Sequence, residues 1–298
     1  MQPATMTPRT PPRRTALTAR ARPRPAGSSG AGIHPTAIVH PKAQLGTGVS
    51  IGPCAVIDEH VRIGSRTKVG AHCVIEGRTT LGEDCEIFTG AVIGSIPQDL
   101  KYSGEDSVLL IGDRNKVREY VTINPGTAGG GGKTVIGSDC LFMAYAHVAH
   151  DCTVGDHVII ANSAALAGHI TVEDRAIIGG LVGIHQFVRV GTLSIIGGCS
   201  RVTQDVPPYA TCVGYPAAVF GLNTEGLRRA GVSADAKRRL HHAFKVLFHS
   251  QLSMGHALDE VARDADQCPE LRHLIAFIRQ SKRGVSRAAS YERFQPSR

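Results

Sequence analysis

From Ile33 to Val202 an aliphatic side chain returns every six residues. The first run is Ile33, Val39, Leu45, Ile51, Ile57, Ile63, Val69, Ile75, Leu81, Ile87 and Ile93. The beat resumes at Ile111, Val117 and Ile123, then shifts by one and continues through Ile136, Phe142, Val148, Val154, Ile160, Leu166, Val172, Ile178, Ile184, Val190, Ile196 and Val202. Neither the 3.6-residue period of an amphipathic helix nor plain alternation yields this spacing. Gly follows the aliphatic residue repeatedly, as at Gly46, Gly52, Gly64, Gly70 and Gly82, and each Gly inside a helix costs about 1 kcal/mol relative to Ala. The fifth position is small or β-branched: Ala43, Val49, Ala55, Val61, Thr67. A short strand with one inward aliphatic residue, followed by a tight corner, meets all these conditions. Three such strands make a coil of eighteen residues, and coils stacked about 4.8 Å apart form a parallel β-helix. Twenty-six openers predict about nine coils and a prism roughly 40 Å tall.

Two interruptions break the beat. Between Ile93 and Ile111 the phase survives, yet Asp99 and Glu105 occupy aliphatic positions. Unpartnered carboxylates do not point into an apolar core, so residues 95–110 are expected to leave the coil as a loop. Gly126–Val135 shifts the phase and contains Gly129–Gly132, which predicts a second loop over 126–135. Loops on a rigid scaffold are where ligand contacts gather. Beyond Pro207 and Pro208 the period changes. A short helix is expected at Thr224–Arg229, and a second capped by Ser233 with Leu240, Ala243, Phe244 and Leu247 on its apolar side. Met254–Ala265 and Pro269–Ile278 read as two more. The chain thus divides into an extension (1–32), the β-helix (33–214), a helical C-terminal domain (215–287) and a flexible tail (288–298), the end becoming ragged beyond Arg283.

Of the formal charge of +8, six units come from Arg9, Arg13, Arg14, Arg20, Arg22 and Arg24, in a stretch without an acidic residue. With Pro, Ala, Thr and Ser around them, residues 1–32 are expected to be disordered. The stretch lacks the apolar segment of a secretory signal, although its Arg-rich, acid-free character is shared with organelle transit peptides. It carries no motif of nucleic-acid recognition. No apolar run approaches the ~20 residues that cross a bilayer. The eight cysteines include no CxxC pair, and Cys73, Cys85, Cys140 and Cys152 all take the small fifth position of their hexads. They read as reduced core residues, not as zinc ligands or disulfides.

Histidines cluster after the second break: His147, His150, His169 and His185. The eighteen-residue coil supplies their neighbours. His150, Gly168 and Gln186 hold one hexad position in successive coils, and Asp151 and His169 hold the next. One imidazole, one carboxylate, a bare backbone and a second imidazole are therefore expected on one patch. Histidine serves as a general base near neutral pH, and a backbone N–H at a glycine stabilises an oxyanion. Two other readings stay open at this level: zinc held by His147, His150 and His169, and surface histidines without a role.

Hexads of this kind resemble the left-handed parallel β-helix of the hexapeptide acyltransferases, and the handedness is taken from that resemblance. Within them the chain is similar to the UDP-N-acetylglucosamine acyltransferases over about Ile33–Arg287. The carriers are QDLKY (Gln98–Tyr102), IGDRNKVRE (Ile111–Glu119), AHVAHDCTVGD (Ala146–Asp156) and LAGHITVED (Leu166–Asp174). They continue in IHQF (Ile184–Phe187), GGCSRVTQDVPPY (Gly197–Tyr209) and GLNTEGLRRAG (Gly221–Gly231).

The resemblance implies transfer of a 3-hydroxyacyl chain from an acyl-carrier protein to the 3-hydroxyl of UDP-N-acetylglucosamine, the first step of lipid A synthesis. It implies no cofactor and no metal, and a bacterial cytoplasmic homotrimer with its sites between subunits. His150 is then the base, Asp151 its orienting partner and Gly168 the oxyanion donor. Asp99, Lys101, His147, His169, Gln186, Asn223, Glu225 and Arg229 match substrate-contacting positions, and His185 and Gly198 lie towards the acyl chain. Gly180 and Gly198 share a hexad position, which predicts an open acyl groove. The chain departs from the family at Ala230, where a second Arg is usual, and at Asn124-Pro125, a His-Arg pair in some members. Two alternatives differ in class or substrate: the N-acyltransferase of the same pathway, which carries an additional N-terminal uridine-binding domain, and a β-helical metal hydratase.

Overall fold

A computed structural model describes residues 32–265 and 268–288; the extension before them and the tail after residue 288 lie outside the described residues. Each six-residue unit makes one two-residue strand and one corner, and the strands build three parallel sheets. Face I has nine strands, from Ile38–Val39 to Arg201–Val202, and face II has eight, from Gln44–Leu45 to Arg189–Val190. Face III has ten: it starts at Ser50–Ile51 and ends in the strands Ala210–Gly214 and Ala217–Leu222, which pair antiparallel. Partners on a face lie one coil apart in sequence, as in Ile57↔Ile75 and Val154↔Val172. The opening aliphatic residues fill the prism, and almost all are inaccessible to solvent.

At the corners the chain turns with φ in the left-handed region, and many of the residues there are not glycine. Such a conformation is unfavourable for an L-residue. It is held by backbone hydrogen bonds to the neighbouring coil, such as His169 N–H to His150 O at 3.0 Å. The small fifth position also closes on the next coil. The buried thiols of Cys73, Cys85, Cys140 and Cys152 donate to the carbonyls of Phe88, Gly112, Gly155 and Ala167. Burial pushes the Cys152 thiol up to about 12, so these groups stay protonated and unreactive.

Both interruptions are loops, but shorter than the hexad count suggests. Residues 108–110 and 133–135, expected in the loops, belong to the strands Val108–Ile111 and Lys133–Ile136. The two pair with each other, and Val108–Ile111 also pairs with Arg78–Leu81, over four residues in each case. The cause is a second inward residue: Leu109 and Thr134 are fully buried while Leu110 points outward. The excursions are thus 95–107 and 124–132, and both leave and rejoin between faces I and II.

The C-terminal region contains α1 (Thr224–Arg229), α2 (Ala234–His249), α3 (Met254–Ala262) and α4 (Pro269–Arg279). Ser233 caps α2 and Ser253 caps α3 through their side-chain oxygens. The helices pack on the final coils. Glu173 accepts from His273 of α4 at 2.7 Å and from the Thr192 N–H at 2.9 Å, and the Arg189 guanidinium lies 4.1 Å over the Phe277 ring. Residues 284–288, expected to belong to a ragged end, are held in place: Val285 bridges to Asp205 and Ala288 to Val219.

Candidate active site

The corner between faces I and II carries Asp151, His169 and Phe187 in successive coils, with φ of 59°, 61° and 65°. His150, Gly168 and Gln186 precede them. The backbone therefore fixes a column of side chains about 4.8 Å apart. His150 Nδ1 lies 2.7 Å from Asp151 Oδ2. With that nitrogen donating to the carboxylate, Nε2 keeps its lone pair and can accept a proton. His150 meets His169 edge-on at 5.1 Å between centroids, and His169 stacks on Phe187 at 4.5 Å. Its ring orientation is thus set from both sides.

Gly168 is required here by space. A Cβ at this position would stand 2.5 Å from His150 Cε1 and 2.7 Å from Nε2. The imidazole lies directly over the glycine backbone, and the Gly168 N–H has no acceptor among the described residues. A donor free of internal partners beside a proton-accepting nitrogen is the pairing an acyl-transfer intermediate needs.

Asp151 is the most enclosed member, with its side chain 1% exposed against 13% for His150. The second excursion covers it. The Thr127 N–H donates to Oδ1 at 2.9 Å and the Thr127 hydroxyl to Oδ2 at 2.6 Å. His150, Asp151 and His169 are the described residues whose potential ligand atoms lie close enough to hold a metal, within 4.8 Å of one another. The set differs from the histidine trio considered above, because His147 turns to the Thr122 hydroxyl at 2.7 Å. The Asp151 carboxylate already accepts from three donors, the Thr127 N–H, the Thr127 hydroxyl and the His150 ring.

Burial holds the His147 imidazole below the ordinary histidine pKa, with the charge of His150 adding to the effect. It starts a column on face I that runs His147, Ala165, Gly183, Arg201. The two small residues between two long ones leave an apolar trough of about 340 Å³, lined also by His185, Ile184 and Leu166. A Cβ on Gly183 would meet no atom within 4 Å. Gly198 lies on the III/I corner instead, where a Cβ would contact the Gly180 carbonyl at 3.2 Å, and it does not line the trough.

Gln186 is exposed next to the cluster. Asp99 and Lys101 lie on the first excursion, where Asp99 Oδ1 accepts from the Lys101 N–H at 3.0 Å. Neither is hydrogen-bonded or ion-paired to the imidazoles among the described residues. Asn223, Glu225 and Arg229 sit apart from the cluster within the chain. Asn223 caps α1 through the Gly226 N–H and donates to Leu193 O at 2.8 Å, on the corner between faces II and III. Glu225 pairs with Arg228 and Arg229, which depress its carboxyl to about 2. A side of the prism separates this corner from His150, roughly 20 Å at about 3.3 Å per residue. Thr127, Gly130, Phe187 and Gly183 escaped the sequence reading; register alone marks Phe187 and Gly183, since each continues a column already followed.

The chain is similar to known proteins. A family model described as UDP N-acetylglucosamine O-acyltransferase, domain 2, matches residues 205–286, and one described as bacterial transferase hexapeptide (six repeats) matches residues 133–168. An acyl-[acyl-carrier-protein]–UDP-N-acetylglucosamine O-acyltransferase of Anaeromyxobacter sp. (strain Fw109-5) is 51% identical over 255 residues, covering 86% of this chain and 99% of the relative. A protein of the same name from Myxococcus xanthus is 51% identical, covering 86% of this chain and all of the relative. Among solved structures, the enzyme of Acinetobacter baumannii superposes with a TM-score of 0.83 at 43% identity, over 86% of this chain and 99% of that one. A UDP-N-acetylglucosamine acyltransferase of Bacteroides fragilis gives 0.84 at 43% identity, over 86% of this chain and all of that one. The coil is accordingly the left-handed β-helix of these enzymes. With relatives at 51% identity covering 86% of its length, the chain belongs to the UDP-N-acetylglucosamine O-acyltransferase family.

Proposed function

We propose that His150 is the general base in transfer of a 3-hydroxyacyl chain from acyl-carrier protein to the 3-hydroxyl of UDP-N-acetylglucosamine, the opening step of lipid A synthesis. His150 Nε2 takes the hydroxyl proton as the sugar oxygen attacks the thioester carbon. The negative charge gathering on the carbonyl oxygen faces the Gly168 N–H. Collapse of the tetrahedral intermediate expels the carrier thiolate, which recovers the proton from the imidazolium. Asp151 orients the ring and stabilises its positive charge. The acyl chain follows the trough past Ala165, Gly183 and His185, and the step needs no cofactor.

The observation that carries this reading is His150 lying between the Asp151 carboxylate at 2.7 Å and the bare Gly168 backbone. Asp99 and Lys101 are read as contacts to the sugar nucleotide, with His147, His169 and Gln186 around the reacting centre. Including Asn223, Glu225 and Arg229 in the same site requires a second copy of the chain, because they flank a different corner from His150. A homotrimer supplies that copy. Both co-substrates are soluble molecules of the bacterial cytoplasm, so that is the compartment expected. No helix among the described residues is long and apolar enough to cross a membrane.

The test is mass spectrometry of products formed from UDP-N-acetylglucosamine and a panel of acyl-carrier thioesters, with wild type and His150→Ala. Losing a general base lowers turnover about 10²–10⁴-fold, and His150→Ala should do so while keeping the wild-type Tm. Near-normal turnover in His150→Ala refutes the mechanism, and loss of wild-type activity on chelation favours a metal at His150, Asp151 and His169.

A further inference from the structure

The second excursion, which the sequence marks as a place for ligand contacts, is spent on a side chain of the enzyme itself. Thr127 is buried, 5% exposed, in extended backbone ahead of a short helical turn at Ala128–Gly130. Its carbonyl accepts from the Gly130 N–H at 3.0 Å and the Gly132 N–H at 2.8 Å, so the loop closes on itself. The next N–H, of Ala128, is held by the Glu105 carboxylate of the first excursion at 3.1 Å. The two excursions thus brace each other, and what they hold in place is Thr127.

Both donors of Thr127 go to Asp151. The N–H meets Oδ1 at 2.9 Å and the hydroxyl meets Oδ2 at 2.6 Å. Oδ2 is the oxygen that contacts His150. A carboxylate turns easily about its last torsion, and a turn here would take Oδ2 off the imidazole. Two donors, one per oxygen, remove that freedom. Gly130 is the complementary requirement, since a Cβ there would stand 1.9 Å from Asp151 Cγ.

We propose that Thr127 is a positioning residue for the His150–Asp151 pair, its hydroxyl and amide fixing the carboxylate so that Oδ2 stays on the imidazole. The inference rests on His150 being the base.

The test compares wild type, Thr127→Val, Thr127→Ser and His150→Ala, with both substrates varied. Thr127→Val keeps the amide and the shape but removes the hydroxyl. Losing a hydrogen bond to a charged group, together with ring misalignment, predicts a kcat lower by about 10–10²-fold. Both KM values should hold. Thr127→Ser should restore most of kcat. A Thr127→Val enzyme with wild-type kcat overturns the proposal, as does equal impairment of Val and Ser with a lowered Tm. If His150→Ala is active, the base reading itself fails. If His150→Ala is inactive and Thr127→Val is normal, positioning alone fails. Should Thr127→Val not fold, Gly130→Ala approaches the carboxylate from its other side: reduced kcat at constant KM supports the inference, and unchanged kcat overturns it.

Discussion

Two corners of the same prism show how little of the site is owed to backbone geometry. The I/II corner presents Asp151, His169 and Phe187; the II/III corner presents Arg66, Asp84, Arg114 and Asp139. All seven residues have φ between 54° and 65°, so the chain turns alike on both. On the II/III corner the side chains face water and pair across coils, Arg66 with Asp84 at 2.7 Å and Arg114 with Asp139 at 2.8 Å. Higher up, the same corner holds Glu173 and Leu193, to which α4 and Asn223 attach. On the I/II corner the second excursion folds over Asp151 and removes its carboxylate from water, while Phe187 stays exposed. Identical turns thus yield a solvent-exposed edge in one place and the proposed reacting centre in the other, and the cover makes the difference.

The sharpest way to break this contrast is to crowd the covered corner. Gly168→Ala would push a methyl group into the His150 ring, and a displacement of about 1 Å at a catalytic group costs on the order of 10²-fold in rate. Turnover should fall accordingly, with Tm close to wild type; an active Gly168→Ala would show that the imidazole works from another position. Gly183→Leu asks whether the neighbouring trough measures the acyl chain. Filling a formed pocket costs about 1–3 kcal/mol, so a competition assay with mixed thioesters should turn towards shorter chains. If instead only Gly198→Met changes chain preference, the limit lies on the III/I corner, as the sequence reading held.

The II/III corner calls for stability measurements. Burial alone would raise the Glu173 carboxyl, but His273 and the Thr192 backbone and hydroxyl outweigh it and bring it below the ordinary glutamate range. A depressed carboxyl adds stability above its unfolded-state pKa and loses it as pH falls through the folded-state value. Glu173→Gln should lower Tm at neutral pH, a hydrogen bond to a charged group contributing about 1.5–3 kcal/mol. The gap to wild type should narrow in melts taken below the glutamate range; a gap that persists in acid would point to packing and not charge. Arg114→Ala should do least. Exposed ion pairs are held weakly, so neither kcat nor Tm should move appreciably, and a clear loss of activity would mean that this edge takes part in catalysis.

Much of this molecule follows from counting. Eighteen residues per coil are enough to bring Gly168 to His150 and His169 to Asp151, because register is set by the repeat. Counting fails where the repeat is interrupted. The phase break after Ile123 erases the relation between residue number and position, so nothing in the hexads assigns Thr127 or Gly130 to Asp151. It fails again past Pro208, where Asn223 finds Leu193 through tertiary packing. Gly198 illustrates a subtler limit. Its column with Gly180 was read correctly, but which of three corners or faces borders the trough depends on outward side chains, which the inward beat does not report.

The antiparallel turn at the end of face III bears on solubility. A stack of parallel coils is an open-ended lattice, and its last layer offers free backbone donors and acceptors to any further strand. Here Ala210–Gly214 completes the layer beyond Ile195–Ile196, Ala217–Leu222 runs back against it, and Ala288 bridges to Val219. The direction of growth is reversed and then covered. A chain cut before Ala210 would keep a continuous core through most of its coils and lose that seal, so prisms would be free to join end to end into fibres.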